Sequence, residues 1–159
     1  MKINIRKAKK EDMQSVLNLI VELAVFEMEP DAVKISVADL EKNGFGEEPM
    51  FICFVAEVEN NIVGMALVYY RFSTWNGRIV HLEDLVVKES WRGKGVGGLL
   101  YAEVMKYANT NNATRVQWEV IDWNEGAIKF YERSGAKVYK NWHVVKMDDN
   151  GLKRFIEKL

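Results

Sequence analysis

The chain has 159 residues, of which 48% are hydrophobic and 28% charged, the size and balance expected of one globular domain spanning residues 1–159. Its formal net charge is −1 and the charged residues are interspersed, so no basic field for nucleic acid is present. The longest apolar stretch, Leu17 to Phe26, is interrupted by polar residues and is too short to span a bilayer. The first residues alternate in hydropathy, unlike the apolar block of a signal peptide. We therefore expect a cytoplasmic protein whose partners include neither nucleic acid nor membrane.

Residue types that bind metals or form disulfides are scarce in the sequence. Cys53 is the single cysteine and lies in an apolar, strand-like segment, which favours an inert core thiol over a catalytic nucleophile. His81 and His143 do not have the spacing of metal ligands. The sequence therefore predicts no metal site and assigns neither histidine a function.

The first part of the chain is predicted to form a strand and two helices. Ile3 and Ile5 alternate with polar neighbours, as in a strand, and apolar residues recur at helical spacing from Asp12 onward. The sequence Ser36-Val37-Ala38-Asp39 resembles a capping box. A short second helix is therefore expected to begin there and to end near Asn43-Gly44.

Three segments rich in β-branched and aromatic residues follow, separated by turn signals. They are Met50–Glu57, Ile62–Phe72 and Ile79–Val87. Consecutive strands joined by short turns predict a meander.

The rest of the chain alternates helices and strands. The predicted elements are a helix at Gly95–Asn109, a strand at Arg115–Val120, a helix at Asn124–Ser134, a strand pair or bent strand at Lys137–Met147, and a tail helix at Leu152–Leu159. This order predicts an α/β fold with a mixed central sheet, antiparallel in its first half, and with helices on both faces. It does not predict a doubly wound sheet.

A glycine-rich loop, Trp91 to Gly98, separates the third meander strand from the next helix. Backbone amides in such a loop approach a ligand without side-chain obstruction, and at a helix N-terminus they favour a diphosphate. The loop also satisfies the dinucleotide pattern G-x-G-x-x-G, with Glu119 near the place of a ribose-binding acid. That alternative is disfavoured because an antiparallel meander and polar residues precede the loop. A glycine-rich connection without any ligand is the second alternative.

Written as Arg92-x-x-Gly95-x-Gly97, the loop resembles the acetyl-CoA pyrophosphate signature of the GNAT acetyltransferases. The similarity extends over nearly the whole chain to the diamine acetyltransferase branch, which includes spermidine/spermine and thialysine N-acetyltransferases. The segments that carry it are Leu19–Ala24, Asp39–Phe45, Leu82-Glu83-Asp84, Trp123-Asn124-Glu125 and Tyr131–Ala136. This resemblance implies a single-domain GNAT fold, in which the antiparallel meander is accompanied by a parallel pair. It also implies acetyl transfer from acetyl-CoA to a primary amine of a small cationic molecule.

The resemblance also implies roles for individual residues. The cofactor-binding positions are Leu85, Val86, Val87, Arg92, Gly93, Lys94, Gly95, Val96, Gly97, Asn124 and Tyr131. Tyr131 is expected to act as the general acid that protonates the departing coenzyme A thiolate. The positions expected to bind the acceptor are Glu83, Asp84, Trp75, Trp142 and Phe26.

The acceptor chemistry requires a base. A primary amine with a pKa of about 10.4 is protonated at pH 7 and cannot attack a thioester until it loses a proton. Glu83 is the candidate base, acting directly or through a water. In an ideal strand Asp84 points to the opposite face from Glu83, so the two serve one site only if a β-bulge intervenes. Tyr131 lies seven residues after Asn124 and hence on the same helix face.

The identity of the acceptor stays open at this point. Polyamine-preferring members carry an extra acid near Ser73 and a tyrosine at the position of Phe26, and this sequence has neither. Local similarity favours the thialysine-preferring members, so a lysine analogue or short diamine is expected, with a polyamine as a further possibility. The alternatives are an acetyltransferase of a protein lysine or N-terminus, and a non-catalytic acetyl-CoA sensor. By resemblance alone we expect a homodimer.

Overall fold

A computed structural model describes residues 2–159. It comprises two compact units, Met1–Glu119 and Val120–Leu159, and each is described by itself. That residues 1–159 form a single domain stays a prediction. No helix in the described part of the chain is long and apolar enough to cross a membrane.

The first unit contains the sheet and three helices. Its elements are β1 (Asn4–Lys7), α1 (Met13–Phe26), α2 (Val37–Phe45), β2 (Ile52–Val58), β3 (Asn61–Ser73), β4 (Gly77–Val87), α3 (Val96–Thr110) and β5 (Val116–Gln117), with 3-10 turns at Lys10–Asp12 and Glu89–Trp91. The strands lie in the order β1-β2-β3-β4-β5, and the described residues form one sheet of 5 strands. Pairing is antiparallel from β1 to β4 and parallel between β4 and β5. The predicted mixed α/β sheet is confirmed.

Alternation along the strands divides the core between two faces of the sheet. Phe54 and Ala56 of β2 pack in one cluster with residues of α3 such as Leu100. Cys53 and Val55, which point the opposite way, pack in a second cluster with residues of α1 and α2. Because side chains alternate with period two in a strand, both faces of the sheet are covered by helices, as predicted.

The predicted capping box at the start of α2 is present. The Ser36 hydroxyl accepts a hydrogen bond from the Asp39 backbone N–H at 3.2 Å. The Asp39 carboxylate in turn accepts one from the Ser36 backbone N–H at 2.8 Å. Two backbone donors that the helix leaves unpaired are thereby satisfied, which fixes where α2 begins.

The second unit consists of α4 (Glu125–Arg133) and α5 (Asp149–Ile156) with irregular segments around them. The prediction of a strand pair or bent strand at Lys137–Met147 is wrong, because the structure assigns no strand to these residues. Their apolar side chains are largely exposed, Trp142 by 74% and Val145 by 92%. Apolar residues give this segment a local strand propensity, but a strand also needs a hydrogen-bonded neighbour, and the described residues of this unit include none.

Two other predicted bounds shift. β5 is shorter than the predicted strand at Arg115–Val120. The tail helix begins three residues earlier than Leu152, at Asp149. The cause is Asp148, whose carboxylate accepts a hydrogen bond from the Gly151 backbone N–H at 2.6 Å and caps the helix.

Candidate active site

A β-bulge in β4 brings two carboxylates to the same face of the sheet. Asp84 lies opposite Leu67 and Leu82 lies opposite Val68, so Glu83 is the extra residue. Leu67 belongs to the core cluster beneath α1 and α2, and Asp84 lies on that face with it. Glu83 lies there as well, because its carboxylate is 3.6 Å from Nε2 of His81, two residues before it on β4. The bulge that the sequence required for a common site of Glu83 and Asp84 is therefore present.

The two carboxylates differ in their surroundings. The side chain of Glu83 is 51% exposed, whereas Asp84 is largely buried. Burial, followed by the negative charges of Glu83 and Glu27, raises the pKa of Asp84 to about 6. Glu27 directly follows the last residue of α1. Together with Glu83 and Asp84 of β4, it creates a negative electrostatic potential here. Such a potential attracts an ammonium group.

A cleft of about 430 Å³ lies between α2 and this face of the sheet. Its wall is mainly apolar and aromatic, and its polar lining consists of Glu83, Asp39 and Asn43. The apolar and aromatic lining residues are Ile35, Leu40, Met50, Phe51, Leu67 and Tyr69. None of these described lining residues is basic. The cleft therefore suits a cationic molecule with an aliphatic stem.

Tyr69 and His81 flank Glu83, and sequence reasoning did not assign either to the site. The two are paired across β3 and β4, and their ring centroids are 5.0 Å apart. Burial, the charge of Glu83 and hydrogen bonding to Glu83 raise the pKa of the Tyr69 phenol. The signal that was available in the sequence is the spacing of two between His81 and Glu83, which places both on one face of a strand.

The glycine-rich loop leaves room above its backbone. Gly93 and Gly95 have left-handed φ angles of 72° and 83°, a conformation that favours glycine. A Cβ built at either residue meets nothing within 4 Å. The loop leads directly into α3, so its amides and the helix N-terminus form a cradle suited to a diphosphate.

The side chains of the loop are partly exposed and partly built into the fold. Arg92 and Lys94 are exposed cations. The Arg92 Nε donates a hydrogen bond to the Val87 carbonyl at 3.2 Å, which ties the loop to the end of β4. Val96 is 1% exposed and packs in the core beneath α3, so only its backbone is available to a ligand.

The second half of β4 has an open edge. β5 pairs with Val80 and His81, and beyond His81 no strand among residues 2–159 covers that edge. Backbone groups of a strand point alternately to its two sides, and the Lys88 N–H donates to the Val63 carbonyl of β3, so the groups of Val86 also face β3. Those of Leu85 and the N–H of Val87 face the open edge, where the Val87 carbonyl already accepts from Arg92. Their side chains pack into the two core clusters.

Two residues expected to bind the acceptor lie away from the cleft. Phe26 ends α1, and its ring centroid is 5.1 Å from the guanidinium carbon of Arg92, which places it beside the glycine-rich loop. Trp75 is 84% exposed in the turn between β3 and β4. Because β4 starts at Gly77 and each residue advances about 3.3 Å, this turn is about 20 Å along the strand from Glu83.

The remaining candidate residues belong to the second unit. The Asn124 side chain accepts a hydrogen bond from the Ala127 backbone N–H at 3.2 Å and caps α4. Tyr131 is 8% exposed, and its ring centroid is 5.4 Å from that of Phe130. Trp142 is exposed in the irregular segment after α4. Asn124 thus has a structural role in its own helix, whatever it binds.

Neither a reactive thiol nor a metal centre emerges from the described residues. Cys53 is buried, and burial raises the pKa of its thiol to about 12, so it stays protonated and unreactive. No group of three or more His, Cys, Asp and Glu side chains within residues 2–159 is arranged to hold a metal ion.

The chain resembles known proteins both in sequence and in fold. The model of the Acetyltransferase (GNAT) family matches residues 14–136. A thialysine N-epsilon-acetyltransferase from Bos taurus is 35% identical over 98% of this chain and 98% of its own. Spermidine/spermine N(1)-acetyltransferase-like protein 1 from Homo sapiens is 32% identical over 93% of this chain but 23% of its own length. A solved integron cassette protein from the mobile metagenome of V. cholerae has a TM-score of 0.81 and 25% identity, with 99% of both chains covered.

Proposed function

The chain belongs to the acetyltransferase (GNAT) family, and from that premise we propose that it acetylates a primary amine of a small, aliphatic cation bound in the cleft beside Glu83. It is an acetyl-CoA-dependent N-acetyltransferase, and the relatives that match 98% and 97% of the chain are named thialysine N-epsilon-acetyltransferases. The acceptor is a lysine analogue such as thialysine, a short diamine or a polyamine. The relatives' names include thialysine and spermidine/spermine.

One observation carries this proposal: the bulge brings the carboxylates of Glu83 and Asp84 to one face of the sheet, and Glu83 lines a mainly apolar cleft on that face. An ammonium group bound there is attracted by the charges of Asp84 and Glu83. The apolar wall accommodates its methylene stem. Because the described lining residues include no positively charged side chain, an acceptor with a carboxylate must turn that group toward solvent. This arrangement favours a diamine, or a lysine analogue held by its side-chain amine.

The carboxylates divide the work on the acceptor. Glu83, the more exposed of the two, removes a proton from the ammonium, directly or through a water, so that the neutral amine becomes a nucleophile. Asp84, with a pKa of about 6, is mostly ionised at pH 7 and above and contributes charge. Activity is therefore expected to fall as the pH drops below about 6.

The glycine-rich loop fits acetyl-CoA because a Cβ at Gly93 or Gly95 would occupy the open space above its backbone. We propose that the amides of Arg92, Gly93, Lys94, Gly95, Val96 and Gly97 hold the diphosphate, and that the open edge of β4 along Leu85, Val86 and Val87 pairs with the pantetheine arm through the backbone of Leu85 and the N–H of Val87. When bound, acetyl-CoA supplies an acetyl group activated as a thioester. The backbone groups orient that acetyl group for attack.

Tyr131 is the proposed general acid. A phenol carries its proton at neutral pH and is able to give it to a departing thiolate, whose conjugate acid has a pKa of about 8.5. Asn124, at the start of the same helix, is the proposed second contact to the cofactor. Trp142, Trp75 and Phe26 remain proposed acceptor contacts. Phe26 lies beside the glycine-rich loop and Trp75 in the β3–β4 turn, so these two serve only an acceptor that extends beyond the cleft.

We also propose that the protein is a cytoplasmic homodimer. The exposed apolar side chains around Trp142 and Val145 are the surface that most needs a partner. A free cysteine without a disulfide partner suits a reducing compartment. Light scattering on a gel-filtration peak tests the dimer, and a monomer mass at micromolar concentration contradicts it. Fractionation of cells with an antibody tests the location.

The experiment that tests the function measures thiol release from acetyl-CoA with spermidine, spermine, putrescine, lysine, thialysine and a histone-tail peptide. Saturable turnover with a small amine, lost in Glu83→Gln, is the expected result. Preference for the peptide would instead indicate a protein acetyltransferase. Cofactor binding without turnover of any amine would indicate a sensor.

A further inference from the structure

His81 is a buried titratable residue to which the proposed mechanism assigns no role. It is 7% exposed, and its Nδ1 is buried without a hydrogen-bond partner in the described part of the chain. Its Nε2 lies 3.6 Å from the Glu83 carboxylate, just beyond hydrogen-bond distance. One nitrogen therefore faces the candidate base while the other has no partner.

This environment selects one form of the imidazole. A doubly protonated ring would bury an unpaired N–H at Nδ1, which costs free energy. In a neutral ring, a proton on Nδ1 would be equally unpaired and would leave the Nε2 lone pair facing a carboxylate. A proton on Nε2 instead points at that carboxylate and leaves only an unprotonated nitrogen buried. The neutral Nε2–H tautomer is thus favoured.

The charged and titratable groups around the ring act in both directions. Burial lowers the pKa of His81 and Arg71 lowers it further, whereas Glu83 and Glu119 raise it. The net direction is downward, so His81 stays neutral to a lower pH than an ordinary histidine. Tyr69 stacks against the ring and supplies a neutral phenol on the same side.

The backbone at His81 is held more firmly than at the acids that follow it. His81 is paired with Tyr69 of β3 and with Gln117 of β5, and the pairing with β5 ends there. The bulge at Glu83 follows two residues later. The imidazole is therefore mounted on the last doubly paired residue of β4, immediately before the irregular part of the strand.

We propose that His81 is a positioning residue, whose Nε2–H acts with the Tyr69 hydroxyl to hold the Glu83 carboxylate in the orientation that accepts the acceptor's proton. This rests on the proposed function, because it assigns His81 a role through Glu83. A bulged residue has more freedom than one in a regular ladder. Two neutral donors on a pair of hydrogen-bonded strands, Tyr69 on β3 and His81 on β4, restrict that freedom without adding a positive charge that would repel the ammonium.

The first test needs no turnover. The chain has 2 histidines, so imidazole ¹⁵N spectra of the wild-type protein and of His143→Gln assign both. At pH 7 we expect His81 to be the neutral Nε2–H tautomer. An Nδ1–H tautomer, or an imidazolium at this pH, would overturn the proposal whether or not the protein acetylates amines.

The second test follows the pH profile of kcat/KM with the best acceptor of the panel. His81→Phe keeps a ring against Tyr69 and removes the donor. We expect its kcat to fall between about 10- and 100-fold and the acidic limb of its profile to move to higher pH, because the carboxylate loses a donor that favours its charged form. His81→Gln retains an N–H near the position of Nε2 and is expected to recover most of the activity.

The control variant is Tyr70→Phe, at the residue of β3 that follows Tyr69, whose side chain points to the opposite face of the sheet. It removes the 2.6 Å hydrogen bond between the hydroxyls of Tyr70 and Tyr107, and we expect it to destabilise the fold without moving the pH profile. A His81→Phe enzyme that is folded but keeps the wild-type profile, or a His81→Gln no better than His81→Phe, would overturn the proposal.

A double-mutant cycle separates this proposal from the proposed function. If His81 acts through Glu83, adding His81→Phe to Glu83→Gln lowers kcat no further. A full additional loss would refute the positioning role and leave the acetyltransferase intact. Unchanged activity in Glu83→Gln alone would refute the base assigned under the proposed function.

Discussion

Replacing Asp84 by asparagine is expected to stabilise the protein while weakening its activity. The pKa of Asp84 is raised from the ordinary value of 3.8 to about 6, first by burial and then by Glu83 and Glu27. An acid with a raised pKa in the folded state binds its proton more tightly than in the unfolded chain. Its contribution to stability is complete below about pH 4 and is lost as the pH rises through 6. Ionised Asp84 therefore destabilises the fold.

The size of this effect follows from the two pKa values. The difference between the folded and unfolded pKa of Asp84 lowers the free energy of unfolding by about 3 kcal/mol at pH 8, where the carboxyl is ionised in both the folded and the unfolded state. At pH 5 it lowers the free energy of unfolding by about 1.5 kcal/mol. An asparagine side chain at this position has nearly the shape of the aspartate and carries no charge. Urea unfolding of the wild type and Asp84→Asn, followed by tryptophan fluorescence at both pH values, measures the difference. The variant should be more stable at both, and more so at pH 8.

A surface acid provides the control. Asp31 is exposed between α1 and α2, and Asp31→Asn should change the free energy of unfolding by less than about 0.5 kcal/mol. The reasoning would be refuted if Asp84→Asn were no more stable than the wild type at pH 8. It would also be refuted if the increase in the free energy of unfolding were the same at pH 5 as at pH 8. The expected functional consequence is a higher KM for the amine, because one attracting charge is gone.

Three further predictions concern other parts of the chain. Tyr131→Phe should lower kcat by about 100-fold and leave the Kd for acetyl-CoA, measured by calorimetry, nearly unchanged. A variant with the wild-type kcat would show that Tyr131 takes no part in the chemistry. Gly95→Ala should weaken acetyl-CoA binding and lower the free energy of unfolding in urea by about 1 kcal/mol, because residue 95 has a left-handed φ of 83°. An affinity for acetyl-CoA equal to that of the wild type would argue against the loop as the diphosphate site. Asp12→Asn should destabilise the fold by about 2 kcal/mol at pH 7, because the hydrogen bond from Arg6 holds the pKa of Asp12 below its usual value. The difference from the wild type should close as the pH falls below about 4, and a pH-independent difference would contradict this explanation.

Local patterns in the sequence predicted most of the elements correctly. The capping box at Ser36 fixed the start of α2, and Asn124 marked the start of α4. The glycine-rich loop before α3 has left-handed φ angles at Gly93 and Gly95, a conformation that favours glycine whatever surrounds it, and its binding of a diphosphate stays a prediction. These features depend on a few neighbouring residues and can therefore be predicted from the chain alone.

The sequence predicted the order of the paired strands but not their residue-by-residue register. A period of two predicts which side chains point to opposite faces of a strand, but not where one strand has an extra residue relative to its partner. The common face of Glu83 and Asp84 therefore depended on how β3 pairs with β4. The same holds for the wrongly predicted strand at Lys137–Met147, which had the composition of a strand but no neighbour.

The sequence by itself indicated the family, and it predicted a candidate cofactor loop and candidate residues for the chemistry, because these lie in contiguous motifs. Only the tertiary structure decided which side chains meet at the site. It placed His81 and Tyr69 beside Glu83 and left Trp75 in a distant turn. The physical reason is that sheet register and bulges are set by hydrogen bonds and core packing between segments far apart in the chain, which no local pattern specifies.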